Sequence, residues 1–453
     1  MNTWDLSGSF ATLDSRSLII SSCIIAVLVI IVSTAVQWYR LSHIRGPLLA
    51  SLTSLWAYQS IKRMGFHRIV LDIQRKYGKI ARIHPNGVML SDPETLWRIN
   101  SARSSYTRGG WYSSIRFNPY GDSVFSEMDT AEHDKRKAKL AFGFSGKGLM
   151  DLEGNVDTQL AVLVDVLKSR TSQGQGQAVV DIGRMLQYFQ IDLITFAGMG
   201  KAWGNLPLDK DNFHVLREAV ERRVNGSNVK DHGGDMLDEW FKHGISPAQA
   251  ELDLSLQMPA GTETSISTIR GILMYLMTSP RVYQKLKKEI ADGIQDGRIS
   301  TDTPCTKAVI NEGMRMAPPL TAGFPKEVPP GGDIICGKAI PAGTEVHMNF
   351  LSLMRDQDVF GHDTEIFRPE RFTDCDDDTK AKRMKVVDLN FGYGRWMCLG
   401  KALAWMEMNK IFVELLRSFD FQPLDPEKPW SRKSTVSWFI TDFFALVTDD
   451  PIG

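Results

Sequence analysis

The chain has 453 residues, 43% of them hydrophobic, and its 53 basic and 53 acidic side chains leave no formal net charge. A chain of this length can bury a large core, and the neutral balance gives no electrostatic support for nucleic-acid binding. Its five cysteines, Cys23, Cys305, Cys336, Cys375 and Cys398, are odd in number and lack CxxC spacing, so neither a disulfide framework nor a zinc site is indicated.

Leu18 to Val36 carries no charge and is close to the ~20 residues needed to span a bilayer. Trp38 and Tyr39 follow as interfacial aromatics, then Arg40 and Arg45; the earlier flank holds Asp5, Asp14 and Arg16. The basic excess after the span predicts that the main body lies in the cytosol. A cleaved signal peptide fits less well, because no small-x-small site precedes the aromatic and basic flank. His43 to Pro47 then breaks the helix with Gly46 and Pro47. Phe66 to Tyr77 reads as an amphipathic helix, Ile80 to Leu90 as a hairpin turning at Asn86-Gly87, and Pro93 to Ser101 as helix again. Leu140 to Met199 is mainly helical, a long helix runs from about Leu252 to Met277, and Pro341 to Phe350 alternates as a strand. Asn225-Gly226-Ser227 is a glycosylation sequon that stays unmodified if it faces the cytosol. The whole reads as mainly α with a minor β sheet.

Phe391-Gly392-Tyr393-Gly394-Arg395-Trp396-Met397-Cys398-Leu399-Gly400 precedes an apolar helical run from Lys401 to Leu416. Helix N-terminal N–H groups and the helix dipole lower a thiol pKa. Gly392 and Gly394 allow a tight turn and close approach to a planar ligand, and Phe391 and Trp396 add aromatic surface. Such a thiolate can serve as the axial ligand of a haem iron. A buried, inert cysteine is the competing reading of any single thiol.

The run resembles the haem-binding signature of the cytochrome P450 family, Phe-Gly-x-Gly-x-Arg-x-Cys-x-Gly, at Phe391, Gly392, Gly394, Cys398 and Gly400. The resemblance implies the P450 fold and haem b, iron-protoporphyrin IX, held by Cys398. The family's propionate-binding arginine is replaced by Trp396, with Arg395 one residue early. That role then falls to Arg395, His133, Lys137 or Lys326. His133 and Lys137 stand where the family has a propionate-reaching pair, and Lys326 where it commonly has an arginine. Other cations of the stretch His133 to Lys139 suit docking of an acidic reductase.

Ala260-Gly261-Thr262-Glu263-Thr264-Ser265 resembles the family's oxygen-binding segment. It implies that Gly261 leaves room for dioxygen, that Thr264 offers a hydrogen bond on the distal side, and that Glu263 relays protons there. Pro259 adds a kink. Glu312 and Arg315 resemble the Glu-x-x-Arg pair, and Phe367 to Phe372 resembles the Pro-Glu-Arg-Phe motif, so Arg371 is expected to complete a structural triad with them. Glu365 and Arg368 share the Glu-x-x-Arg spacing by chance. The details Pro329-Pro330-Gly331-Gly332 and Ile340 to Thr344 are similar to the fungal pisatin-demethylase-like branch.

The resemblance implies a monooxygenase that oxidises a small organic substrate in fungal secondary metabolism. Electrons would come from NADPH-cytochrome P450 reductase, with cytochrome b5 as a further donor. It also implies a single-pass anchor in the endoplasmic reticulum membrane: residues 1–17 lumenal, 18–38 spanning, 39–50 a hinge and 51–453 the cytosolic catalytic domain. Segments 200–260, which holds the family's distal F and G helices, and 297–308 are short against the family pattern. That leaves two other readings: an isomerase or dehydratase on the same scaffold, or a non-catalytic haem-binding protein.

Overall fold

The computed structural model describes residues 15–145, 151–211, 216–224, 234–296 and 304–452. Residues 1–14, the sequon at 225–227 and residues 297–303 lie outside them. Helices dominate the described residues, which also hold four small sheets.

The apolar span forms one helix, Ser15–Arg40, long and apolar enough to cross a membrane, with its apolar side chains exposed. Its last turn leaves carbonyls without intrahelical partners. Buried Arg82 satisfies two of them, donating to the carbonyls of Trp38 and Gln37, each at 2.9 Å, and also to Pro85 at 2.6 Å. Arg40 donates to the Ala342 carbonyl at 2.5 Å, and the backbone N–H of Arg82 to Arg45 at 2.9 Å. A Cβ at Gly46 would lie 2.2 Å from the Arg82 carbonyl, so only glycine fits there. The expected hinge at 39–50 is therefore held against the sheet by hydrogen bonds.

That sheet has four strands in the order Ile80–His84, Gly87–Leu90, Glu345–Met348, Gly323–Glu327. The outer pairs are antiparallel, and Gly87–Leu90 runs parallel to Glu345–Met348. The predicted strand through Phe350 stops at Met348, because Asn349 caps the next short helix, Phe350–Leu353. A second sheet joins Gln177–Asp181, Phe444–Asp449 and Phe419–Pro423.

The helix Pro247–Met277 runs through the middle of the helical layer, five residues longer at its start than its sequence pattern indicates, with Ser246 as N-cap. It packs on Ile182–Met199 and on Pro304–Met316. The second crossing is close: a Cβ on Gly313 would sit 2.1 Å from Ile272 Cγ1. Between Leu208 and Pro247 the described residues hold two short helices, Leu216–Val224 and Met236–Lys242.

Candidate active site

The central helix and the cysteine loop face each other across a cavity of about 290 Å³. Its lining is mostly apolar, with Leu140, Phe144, Ile194, Leu320, Phe324 and Leu403 among the walls. Ala260, Gly261 and Thr264 line one side and Phe391, Gly392, Trp396, Cys398 and Gly400 the other.

Cys398 is placed by a tight loop: its N–H donates to the Phe391 carbonyl at 2.7 Å, and Gly400 caps the helix Lys401–Ser418. The Cys398 side chain lines the cavity and is exposed to it, within the surrounding mass of the protein. Burial raises its pKa above the ordinary thiol value, and this outweighs the lowering by the N–H groups of Gly400 and Lys401 and by the Lys137 charge. The sequence led us to expect a net lowering from the helix terminus. The terminus does act in that direction, but desolvation is larger, so ligating a metal has to displace a proton from this sulfur.

The two loop glycines have different tasks. Gly392 lines the cavity with φ 73°, and a Cβ there would meet the Trp396 carbonyl at 2.8 Å. Gly394, with φ 55°, does not line the cavity; a Cβ would lie 2.5 Å from the Asn100 carbonyl, so it seats the loop on residues 100–102.

Trp396 fills the position of the missing arginine and gathers cations instead. Arg108 Cζ and Lys326 Nζ each lie 4.6 Å from its ring centroid, and the His133 ring is 4.7 Å away. Lys326 is buried and donates to Tyr112 Oη at 2.8 Å. Burial, then the charges of Arg108 and Lys137, push its pKa well below the usual lysine value. Lys137 donates to the carbonyls of Arg395 at 2.7 Å and Met397 at 2.5 Å, bracing the cysteine loop, and burial takes its pKa down to about 8. Arg108 reaches the carbonyls of Val124 and Glu127. Among the described residues, none of these three cations has a carboxylate within ion-pair distance. Arg108 Nε and Trp396 Nε1 are buried without a hydrogen-bond partner there. A cluster of buried cations and idle donors is costly by itself. It fits a bound group that brings carboxylates, as the two propionates of haem do.

Two expected members of that cluster are placed differently. The Arg395 guanidinium turns away to Asp134, 3.0 Å from its carboxylate, and is absent from the lining. His133 lines the cavity, but its Nδ1 is 2.9 Å from Asp134, and burial followed by the Arg108 charge lowers its pKa to about 4. In the neutral form with Nδ1–H bonded to Asp134, Nε2 offers a lone pair, which a carboxylate repels. Arg108, for which the sequence held no expectation, stands beside Trp396 instead. Its only local signal was an arginine before Gly109-Gly110 in an aromatic segment.

On the opposite wall, Thr264 lines the cavity and donates to the Ala260 carbonyl at 2.6 Å. Glu263 does not line it. One residue of helical rotation, about 100°, aims Glu263 at the neighbouring helix, where Gln187 Nε2 is 3.5 Å away and Arg270 faces it. Burial raises its pKa despite Arg270. Gly261 does line the cavity, and it is also fixed by packing, since a Cβ would lie 2.7 Å from Ile194 Cδ1. Glu407, on the helix that follows the cysteine loop, is buried in the cavity wall and accepts from Gln190 at 2.9 Å. Burial lifts its pKa to about 7, against hydrogen bonds from Ser265 and Gln190.

Behind the cysteine loop, Glu312, Arg315 and Arg371 meet with fully buried side chains. Glu312 accepts two hydrogen bonds from Arg315, at 2.7 and 2.8 Å, one from Arg371 at 3.2 Å and one from the Arg368 backbone at 2.9 Å. The arginines also hold the carbonyls of Met354, Thr364 and Phe360. Glu365 and Arg368 do not pair with each other: Glu365 bonds Arg355 and Arg368 bonds Asp363.

A helical fold that encloses a cationic, apolar cavity with a cysteine at its floor defines a haem-thiolate protein. The comparisons agree. The cytochrome P450 family model matches residues 236–442. The chain is 36% identical to the cytochrome P450 monooxygenase ABA1 of Pyricularia oryzae, covering 94% of this chain and 95% of the relative. It is 35% identical to cytochrome P450 monooxygenase aba1 of Botryotinia fuckeliana, over 88% and 90%, and 27% identical to pisatin demethylase of Fusarium vanettenii, over 88% and 87%. A crystal structure of a cytochrome P450, CYP102L1, superposes with a TM-score of 0.73 at 18% identity, covering 90% of this chain and 98% of that one. The chain belongs to the cytochrome P450 family, and it is a monooxygenase. The Pyricularia alignment runs over 490 positions although this chain has 453 residues, so the relative carries additional chain between the same ends.

Proposed function

We propose that this monooxygenase oxidises a small, largely apolar organic molecule in fungal secondary-metabolite biosynthesis. The observation that carries the proposal is the apolar cavity with Cys398 on one wall and Thr264 on the other. Haem bound there supplies the oxygen chemistry, and thiolate ligation favours O–O cleavage. The protein's part is to bind, orient and handle protons. Cys398 is the proposed iron ligand, with the N–H groups of Gly400 and Lys401 and the Lys137 charge stabilising its thiolate. Arg108 and Lys326, each 4.6 Å from the Trp396 ring centroid, are the proposed propionate partners, and Lys137 braces the cysteine loop beside them. Thr264 lines the cavity with its hydroxyl proton on the Ala260 carbonyl, leaving its oxygen as an acceptor there, while Glu407 holds a proton at its carboxyl near neutral pH. Gln257 lines the cavity with Oε1 buried and unpartnered among the described residues. This favours a substrate that brings one O–H or N–H donor to an otherwise apolar body.

The relatives named as monooxygenases and pisatin demethylase support the fungal setting. The exposed apolar helix Ser15–Arg40, followed by basic residues, supports a single-pass anchor in the endoplasmic reticulum. On this reading residues 1–17 are lumenal, 18–38 span the bilayer, and the domain from 51 onward meets an NADPH-dependent reductase in the cytosol. The test is reconstitution of the full chain with that reductase in vesicles, presenting extracts of the source organism as substrate. Product formation that requires both NADPH and oxygen is the expected result. Turnover without NADPH would instead favour an isomerase or dehydratase.

A further inference from the structure

We propose that His84, Glu345 and His347 form a binding site for a divalent metal ion of the zinc type, where the four-stranded sheet meets the end of the membrane helix. The site lies apart from the cavity, whose lining includes none of the three residues.

The placement follows from strand register. Glu345 and His347 are two apart on one strand, so they share a face. The parallel partner strand sets Gly87 beside Glu345 and Met89 beside His347, and His84 pairs with Gly87 across the adjoining turn. Gly87 makes the meeting possible: a Cβ there would lie 1.9 Å from His84 Nε2. His84 therefore reaches over the glycine toward the other two.

The three ligand atoms form a nearly equilateral triangle. His84 Nε2 and His347 Nε2 are 3.2 Å apart, and each is 3.3 Å from the same carboxylate oxygen, Glu345 Oε2. Tetrahedral zinc with nitrogen and oxygen ligands at about 2.0–2.1 Å sets its ligand atoms about 3.3–3.4 Å apart. The protein thus presents one face of the coordination tetrahedron. Hydrogen bonding alone serves the triangle poorly. Each imidazole nitrogen has a single in-plane position, occupied by a hydrogen or a lone pair, and cannot aim it at two partners. A cation above the triangle takes a lone pair from all three. The side chains are 17%, 19% and 11% exposed, which leaves an opening for the ion and for water as a fourth ligand. One contact opposes binding: the Asn86 N–H points at His84 Nδ1 from 3.4 Å, and a ring metallated at Nε2 carries a proton there. That distance is already long for a hydrogen bond. The cysteine spacing that argued against a zinc site in the sequence has no bearing on this set, because it contains no cysteine.

An ion here would join the hairpin to the strand Glu345–Met348, next to Arg82 and its hold on Trp38 and Gln37. The test uses the full-length holoenzyme in detergent, stripped with chelator and titrated with zinc sulfate against a chromophoric chelator. X-ray absorption at the zinc edge is measured in parallel, where haem iron does not contribute. The expected result is one zinc per chain at micromolar or lower concentration, with imidazole scatterers in the first shell. Loss of a second-shell group typically weakens metal binding about 10–100-fold, so His84→Gln and His347→Gln, which remove ligands, should weaken it by at least about 100-fold. Haem content and the carbon-monoxide spectrum report whether each variant is folded. No zinc bound by the wild type at 10 µM (about −7 kcal/mol of binding), an all-oxygen first shell, or equal binding by a folded variant overturns the proposal.

Discussion

Lys326→Met separates a cofactor-binding lysine from a merely structural one, because its two effects have opposite sign. In the protein without haem, Lys326 is a buried ammonium with no carboxylate partner among the described residues, and burial holds its pKa well below the usual value. An unpaired buried ion carries a desolvation penalty of several kcal/mol, reduced when the group gives up its proton. Methionine keeps the stem's packing and removes that penalty. The loss on the other side is one hydrogen bond to Tyr112 Oη, at 2.8 Å, worth about 1 kcal/mol. The stability of the haem-free protein should therefore hold or rise. Haem retention should fall, since a hydrogen bond to a charged partner contributes about 1.5–3 kcal/mol, which is about 10–150-fold in dissociation. The assay is haem transfer to an excess of an apoprotein acceptor, followed at the Soret band, beside urea unfolding of the haem-free chain. A transfer rate within twofold of wild type, or a haem-free protein destabilised by more than about 2 kcal/mol, refutes the reasoning.

Four further outcomes are expected. Cys398→Ser should keep the fold and lose the thiolate-type Soret shift of the reduced carbon-monoxide complex; an unchanged spectrum assigns the ligand elsewhere. Glu312→Gln leaves fully buried Arg315 without its counter-charge and Arg371 with Asp363 alone, so unfolding should become easier by about 3–5 kcal/mol, with haem lost in the same transition; an unmoved urea midpoint would contradict this. Glu407, with its pKa raised from 4.5 to about 7, contributes stability that is full below pH 4.5 and lost as pH rises through about 7. Glu407→Gln should therefore flatten the pH dependence of stability between pH 5 and 8, removing about 3 kcal/mol of it, and equal slopes would count against the assignment. Arg395→Ala breaks a partly exposed pair with Asp134 worth at most about 1 kcal/mol, so haem retention should not change; marked haem loss would restore Arg395 to the cofactor site.

How much of the site was legible depended on whether residues are neighbours in sequence. The cysteine loop, the Ala260–Ser265 helix segment and the Glu312–Arg315 pair are local patterns, and the structure sets each on the element its pattern implies. Arg108 was not legible, because it reaches Trp396 and the cysteine loop only after the chain between residues 108 and 396 has folded around the cavity. Glu263 and Thr264 are adjacent in sequence, yet the helical rotation between them puts one beside Gln187 and the other in the cavity. Arg395 illustrates the same limit, since its charge one residue away from the family position pairs with Asp134 on another helix.

By itself the sequence determined the family, the helical class with its minor sheets, the apolar span and the cysteine that faces the cavity. These rest on periodicity, on composition and on short runs whose spacing the backbone preserves. Only the tertiary structure decided which cations gather around Trp396, that burial outweighs the helix terminus at Cys398, and that His84 meets Glu345 and His347. The physical reason is common to all three. Desolvation and convergence of side chains are set by what distant segments bring to the same place, and no local pattern of residues records that.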